Sequence, residues 1–181
     1  MDRRTAMRQL AILTGGAALL PACDFSEESI LDAYSNLNIT ASHEALIKKL
    51  TNTIFPGVHL VKAEEIQLED FVLVMSNDCL NENQQQAFVK GLKKYNGFCK
   101  NHFDREFTSM GQKEAENAFI KSLEIEPGNG KEDVEAIHHF LATTKRFALQ
   151  GYLNSEYFMT EIQPYELVPV RYIGSKKIEA S

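Results

Sequence analysis

From Ala41 to Gly151 the apolar residues recur at three- and four-residue spacing, in blocks separated by turn and cap residues. That period puts one apolar face on each block and is the signature of amphipathic helices packed around a shared core. The first block carries Leu46, Ile47, Leu50 and Ile54, with Thr40 or Ser42 as N-cap and Pro56-Gly57 as stop. The second is predicted over about Glu64 to Cys79, its acidic start favouring helix over strand for the Phe71–Met75 run. Asn81 followed by Gln84 reads as a capping box opening a third helix that reaches Phe103, with Phe88, Leu92, Tyr95 and Cys99 on one face. A fourth is expected from about Gly111 to Leu123, capped by Thr108 or Ser109, with Ala115, Phe119 and Leu123 inward. After the loop Pro127-Gly128-Asn129-Gly130, a fifth runs from Lys131 to Gln150 and stops at Gly151. Residues 152–181 contain Pro164 and Pro169 and read as an extended tail pinned by Tyr165, Leu167, Val168 and Tyr172. The expected fold is therefore all-α: one bundle-like domain of about five helices, residues 40–181, with an extended C-terminal tail.

The N-terminus breaks this pattern. Arg3, Arg4 and Arg8 precede Leu10–Leu20, an uncharged run of 11 residues. A helix crossing a bilayer needs about 20 apolar residues. The order of positive, apolar and small residues thus reads as a signal peptide over residues 1–22. Arg3-Arg4 with Met7 and Arg8 resembles the twin-arginine motif that directs export of folded proteins, although Ala6 stands where a Phe is usual. Export by the Sec route is the alternative. Leu20-Pro21-Ala22-Cys23 resembles a lipobox, in which the Cys23 thiol is acylated and becomes the first mature residue. The acidic, polar stretch that follows, to residue 39, reads as a lipidated tether. These features place the protein in a bacterial envelope, on the periplasmic side of a membrane, held there as a lipoprotein.

Charge supports that attachment. The full chain has a net charge of −6. Residues 1–22 hold three Arg and one Asp, so removing them leaves 16 basic against 24 acidic residues, a net −8. Such a chain is repelled by nucleic acid and by anionic lipid, and no nucleic-acid partner is expected. Attachment must come from acyl chains rather than from a basic patch. Cys79 and Cys99 remain as thiols that either pair as a disulfide or stay free and buried.

The residues for chemistry are sparse. Dinucleotide, P-loop and nucleophile-elbow patterns are absent from the sequence, as is the Cys-x-x-Cys-His of covalent haem attachment. Cys99-Lys100-Asn101-His102 offers two of the four ligands that structural zinc wants. His138 and His139 are adjacent, so on a helix their rings point about 100° apart and cannot share a metal. One is expected against the core or a neighbouring helix and the other in water. No catalytic, cofactor-binding or metal residue is therefore assigned, and the chain is read as non-catalytic on its own.

The C-terminal region is more specific. Gly151-Tyr152-Leu153-Asn154-Ser155-Glu156, with Tyr165-Glu166-Leu167-Val168-Pro169-Val170-Arg171-Tyr172-Ile173-Gly174 after it, resembles the closing signature of the gluconate 2-dehydrogenase subunit 3 family. Thr53-Ile54-Phe55-Pro56 is similar to that family's N-terminal motif, with Phe-Pro where Ile-Pro is commoner. The resemblance spans roughly residues 40–174. It implies an accessory subunit of a membrane-associated oxidoreductase. The large flavoprotein subunit, of the glucose–methanol–choline type, would hold FAD and oxidise a sugar, sugar acid or polyol. A cytochrome c subunit carrying haem would take the electrons. The small subunit would carry no redox centre and would assist folding and export of the large one. Gly151, Tyr152, Ser155, Glu156, Pro169, Arg171 and Tyr172 become candidates for the partner interface. The lipobox departs from the family pattern, and a lipid anchor would add a membrane-holding role. A stand-alone envelope lipoprotein that binds a ligand or another protein is the competing reading.

Overall fold

Two helices of 22 residues each, α3 (Glu82–Phe103) and α5 (Glu132–Leu153), form the central pair of the molecule. In the computed structural model, which describes residues 31–125, 132–163 and 174–175, the other helices are α1 (Ala41–Ile54), α2 (Leu68–Asp78) and α4 (Gln112–Glu124). Each long helix extends about 33 Å at 1.5 Å per residue. Short 3-10 turns lie at Asp32–Tyr34, Ala63–Ile66 and Phe107–Ser109, and a π-helical turn at Phe158–Ile162. The fold is all-α, with no strand among the described residues.

The α3–α5 contact is close because Gly91 has no side chain. A Cβ there would run into the Ala136 carbonyl and the Phe140 side chain. Around that approach Phe88 meets Phe140 edge-on at 5.2 Å, and Tyr95 tilts against Phe140 at 5.9 Å and Phe107 at 5.0 Å. The predicted inward residues of α3, Phe88, Leu92, Tyr95 and Cys99, are all buried. Fully burying a side chain such as Phe88 or Leu92 contributes roughly 1.5–3 kcal/mol. The capping box also forms: the Gln84 N–H donates to Asn81 Oδ1 at 3.0 Å and the Asn81 N–H to Gln84 Oε1 at 3.2 Å. At the start of α1, the Thr40 N–H donates to His43 Nδ1 at 3.2 Å.

Several boundaries differ from the sequence reading. The second helix is two pieces, because Gln67 takes a left-handed conformation (φ 50°) between the 63–66 turn and α2. Thr108 and Ser109 belong to a 3-10 turn, where Ser109 Oγ donates to the Glu106 carbonyl at 2.8 Å, and Gly111 stands at the N-cap of α4. Gly151 does not stop α5, which continues to Leu153. Residues 156–162 are helical rather than extended, since the chain turns at Ser155 and resumes. The rest of the expected tail, at 164–173 and 176–181, lies outside the described residues.

The expected tether also ends earlier than residue 39. Tyr34, Leu37 and Ile39 are buried in the core, and the Tyr34 hydroxyl donates to Asp70 Oδ1 at 3.3 Å. The Asn36 N–H donates to Asn77 Oδ1 at 3.0 Å, fixing the segment to the end of α2. Tyr34, Leu37 and Ile39 alternate with polar residues over too few positions to register as a helical stripe. No described helix is long and apolar enough to cross a membrane.

Candidate functional site

The C-terminal end of α5 meets the segment that leaves α1, so the Gly151–Glu156 part of the closing motif converges there with the Thr53–Pro56 motif. Pro56-Gly57 turns the chain, with Gly57 at φ +79° and Lys62 crowding the place of a Cβ. The returning strand of chain closes by a hydrogen bond from the Ala63 N–H to the Phe55 carbonyl (3.3 Å). That brings the Val61 carbonyl within 2.8 Å of the Tyr152 hydroxyl, which donates to it across 91 residues of sequence. The Tyr152 ring stacks on Phe55 with centroids 4.2 Å apart and planes within 5° of parallel. Tyr157 and Phe158 each present an edge to Tyr152 at 6.4 Å. Burial raises the Tyr152 phenol above its ordinary pKa.

Ser155 fastens the turn that follows. Its hydroxyl donates to the Tyr152 carbonyl at 2.7 Å and accepts from the Phe158 N–H at 3.2 Å. Gly151 lets α5 approach α2: a Cβ there would lie 2.6 Å from Phe71 Cδ1 and 2.9 Å from Leu68 Cδ1. Its role is close packing, not helix termination.

Beside this clasp lies an open groove of about 620 Å³. Leu68, Phe71 and Ile66 form its apolar floor, with Gly151 at the base. Glu65, Glu156 and Glu161 stand on its rim, and no Lys or Arg lines it among the described residues. A larger groove, about 950 Å³, is lined by Asn36, Asn77, Gln85, Lys90 and Lys93. Two of its amides are occupied internally: Asn36 Nδ2 and Gln85 Nε2 both donate to the Asn77 carbonyl, at 3.1 and 2.7 Å. Lys90 is held by Glu132 and Asp133.

Cys79 and Cys99 are both free thiols, so the pairing alternative is not realised. Cys79 is exposed just after α2, its Sγ 3.9 Å from Met75 Sδ, which corrects the expectation that a free Cys79 is buried. Cys99 sits in the core on α3, and burial pushes its thiol up to about 12. His102 is exposed at the end of α3, its Nδ1 2.9 Å from the Phe98 carbonyl. The Cys99–His102 pair is thus split between core and surface. His138 and His139 are both half-buried with an Nε2 shut off from water and unpartnered, so neither ring stands out in solvent as expected. Among the described residues, no three His, Cys, Asp or Glu are grouped to hold a metal ion.

Of the seven interface candidates, Gly151, Tyr152, Ser155 and Glu156 gather at this corner. Pro169, Arg171 and Tyr172 lie outside the described residues, as do Arg3, Arg4 and Cys23. The sequence reading missed Phe55 and Val61 as partners of Tyr152, and Gln67 as a break. For Gln67 no local signal exists. For Phe55 the signal was its place in the second motif.

The gluconate 2-dehydrogenase subunit 3 family model matches residues 41–170. The chain belongs to the gluconate 2-dehydrogenase subunit 3 family. Neither the curated proteins nor the solved structures contain a significant match to it. The family match starts at the first residue of α1 and takes in all five helices, the Phe55–Tyr152 clasp and the groove. The family's name is that of a subunit of a dehydrogenase complex, and the segment 31–40, which packs into the same core, lies ahead of the matched residues.

Proposed function

We propose that this subunit 3 protein is the non-catalytic partner of an exported FAD-dependent dehydrogenase acting on a sugar, sugar acid or polyol. It escorts the large subunit through folded-state export and holds the complex on a membrane through Cys23. The observation that carries the reading is the family match over the whole helical domain. The export and anchoring roles rest on the sequence: Arg3-Arg4 for the twin-arginine route and Leu20–Cys23 for lipidation. A flavoprotein must fold around FAD before it leaves the cytoplasm, and a folded-export signal on a tightly bound partner supplies its route. FAD, and haem in a cytochrome c subunit, belong to the partners in this reading.

Solubilised membranes are the direct test. Affinity purification of the full-length protein recovers a flavoprotein with bound FAD; repeated recovery without one refutes the assignment. Cys23→Ala releases the protein from membranes and abolishes acyl labelling, whereas unchanged retention rules out the lipid anchor. Arg3→Lys with Arg4→Lys blocks export of both subunits if the twin-arginine route is used. Normal export of the double variant points to Sec.

A further inference from the structure

We infer that the groove between the start of α2 and the end of α5 seats a segment of the dehydrogenase subunit in which an apolar side chain is flanked by Lys or Arg; this rests on the proposed subunit role and assigns it a surface. The floor supplies the apolar half of the recognition. Phe71 and Ile66 are only partly buried, and Gly151, unable to carry a side chain without striking Phe71, keeps the floor open.

The electrostatics supply the other half. Glu65, Glu156 and Glu161 are exposed, and none of the three is in a salt bridge. The nearest cation in sequence, Lys62, is spent on Glu64 at 2.6 Å. The last turn of α5, which borders the groove at Gly151, holds no basic residue, so its negative dipole end is uncompensated. The positive end of α2 also faces this region, with Asp70 in its first turn to offset it and Glu69 there paired with Lys48 at 3.1 Å. Among the described residues the groove is therefore negative without an internal counter-ion, and complementary charge on the partner completes it. Two backbone irregularities frame it, the left-handed Gln67 and the π-helical turn at Phe158–Ile162. π-Helical turns are frequent at functional sites.

The test uses the full-length protein in its own cells, with a photoreactive phenylalanine analogue at Thr160 on the groove rim, or at Lys93 on the larger groove as control. Irradiation at Thr160 is expected to join the chain to the flavoprotein subunit, through a peptide whose apolar residues are flanked by Lys or Arg. The Lys93 position gives no such product. Glu156→Lys with Glu161→Lys lowers recovery of the complex about tenfold at low salt, and the Gln pair lowers it less. Cross-linking to the flavoprotein from Lys93 and not from Thr160 overturns the groove while leaving the subunit role standing. Products at Thr160 joined to this chain's own residues, or to a second copy, overturn it too. Absence of the flavoprotein from both positions overturns the groove and the subunit role together.

Discussion

The ring of Tyr152 lies flat against the ring of Phe55, and its hydroxyl donates to the Val61 carbonyl at 2.8 Å. One side chain near the end of α5 thus locks both the exit of α1 and the loop that follows it. Removing the hydroxyl and removing the ring have different costs. Tyr152→Phe keeps the stack, loses one hydrogen bond and is expected to cost about 0.5–1.5 kcal/mol. Tyr152→Ala loses the buried ring as well and is expected to cost about 3–5 kcal/mol. Urea unfolding followed by circular dichroism separates the two; equal losses would show that the ring contributes nothing beyond its hydroxyl.

Three glycines in helices predict three different outcomes on alanine substitution. At Gly91 the new Cβ meets the Ala136 carbonyl, which is backbone of the opposing helix and cannot turn aside. At Gly151 it meets Phe71 and Leu68, whose side chains can give. At Gly97 it meets nothing within 4 Å. Gly151→Ala is expected to cost about 1–3 kcal/mol, and Gly91→Ala more. Gly97→Ala should stabilise the protein by up to about 1 kcal/mol through helix propensity. Melting temperatures give the order directly.

Ser155 joins α5 to the helical turn beyond it, and it does so locally. Ser155→Ala removes the acceptor for the Phe158 N–H, a loss of about 0.5–2 kcal/mol at a helix start. No residue of the Phe158–Ile162 turn is buried, so the loss should appear as local opening rather than global unfolding. Amide exchange at Phe158 and Met159 is expected to speed up about two- to thirtyfold while exchange in α3 stays unchanged. A matching acceleration in α3 would instead make Ser155 part of the global folding unit.

Much of this was legible in the chain because helix periodicity is a local property. The inward face of α3, its Asn81–Gln84 capping box and its end at Phe103 follow from residues three and four apart, and all three are found. The failures share one cause, which is that distant partners decided the outcome. Gly151 has the composition of a helix stop, yet packing against Phe71 and Leu68 on α2 keeps it inside α5. Gln67 has no sequence mark of a break, but Leu68 and Ala63 are both buried and the chain must turn between them. Tyr34, Leu37 and Ile39 read as a polar tether until Asp70 and Asn77 are placed beside them. At the candidate site, Gly151, Tyr152, Ser155 and Glu156 were visible as a motif, while the groove they border needed α2 and the π-helical turn.

Alkaline pH should weaken the domain, because burial raises the Cys99 thiol and the phenols of Tyr34, Tyr95 and Tyr152. Burial pushes the Cys99 thiol from its ordinary 9.0 up to about 12. Burial and then the Asp70 carboxylate push the Tyr34 phenol from 10.0 to about 12. Both are raised in the folded state, so the unfolded chain gives up these protons first and binds fewer of them above pH 9. Stability therefore falls as pH rises when the unfolded state holds fewer protons. The contribution is intact below about pH 9 and is lost progressively towards pH 12. Cys99→Ala and Tyr34→Phe should each make that fall shallower, from about pH 9 and about pH 10 upwards respectively, as read from urea midpoints at successive pH values. The same burial predicts selective thiol chemistry. At pH 8 an alkylating reagent should modify the exposed Cys79 readily and Cys99 about a thousandfold or more slowly, since Cys99 reacts only when the domain opens. Comparable native-state rates at the two thiols would mean that the α3 core opens far more often than its burial allows.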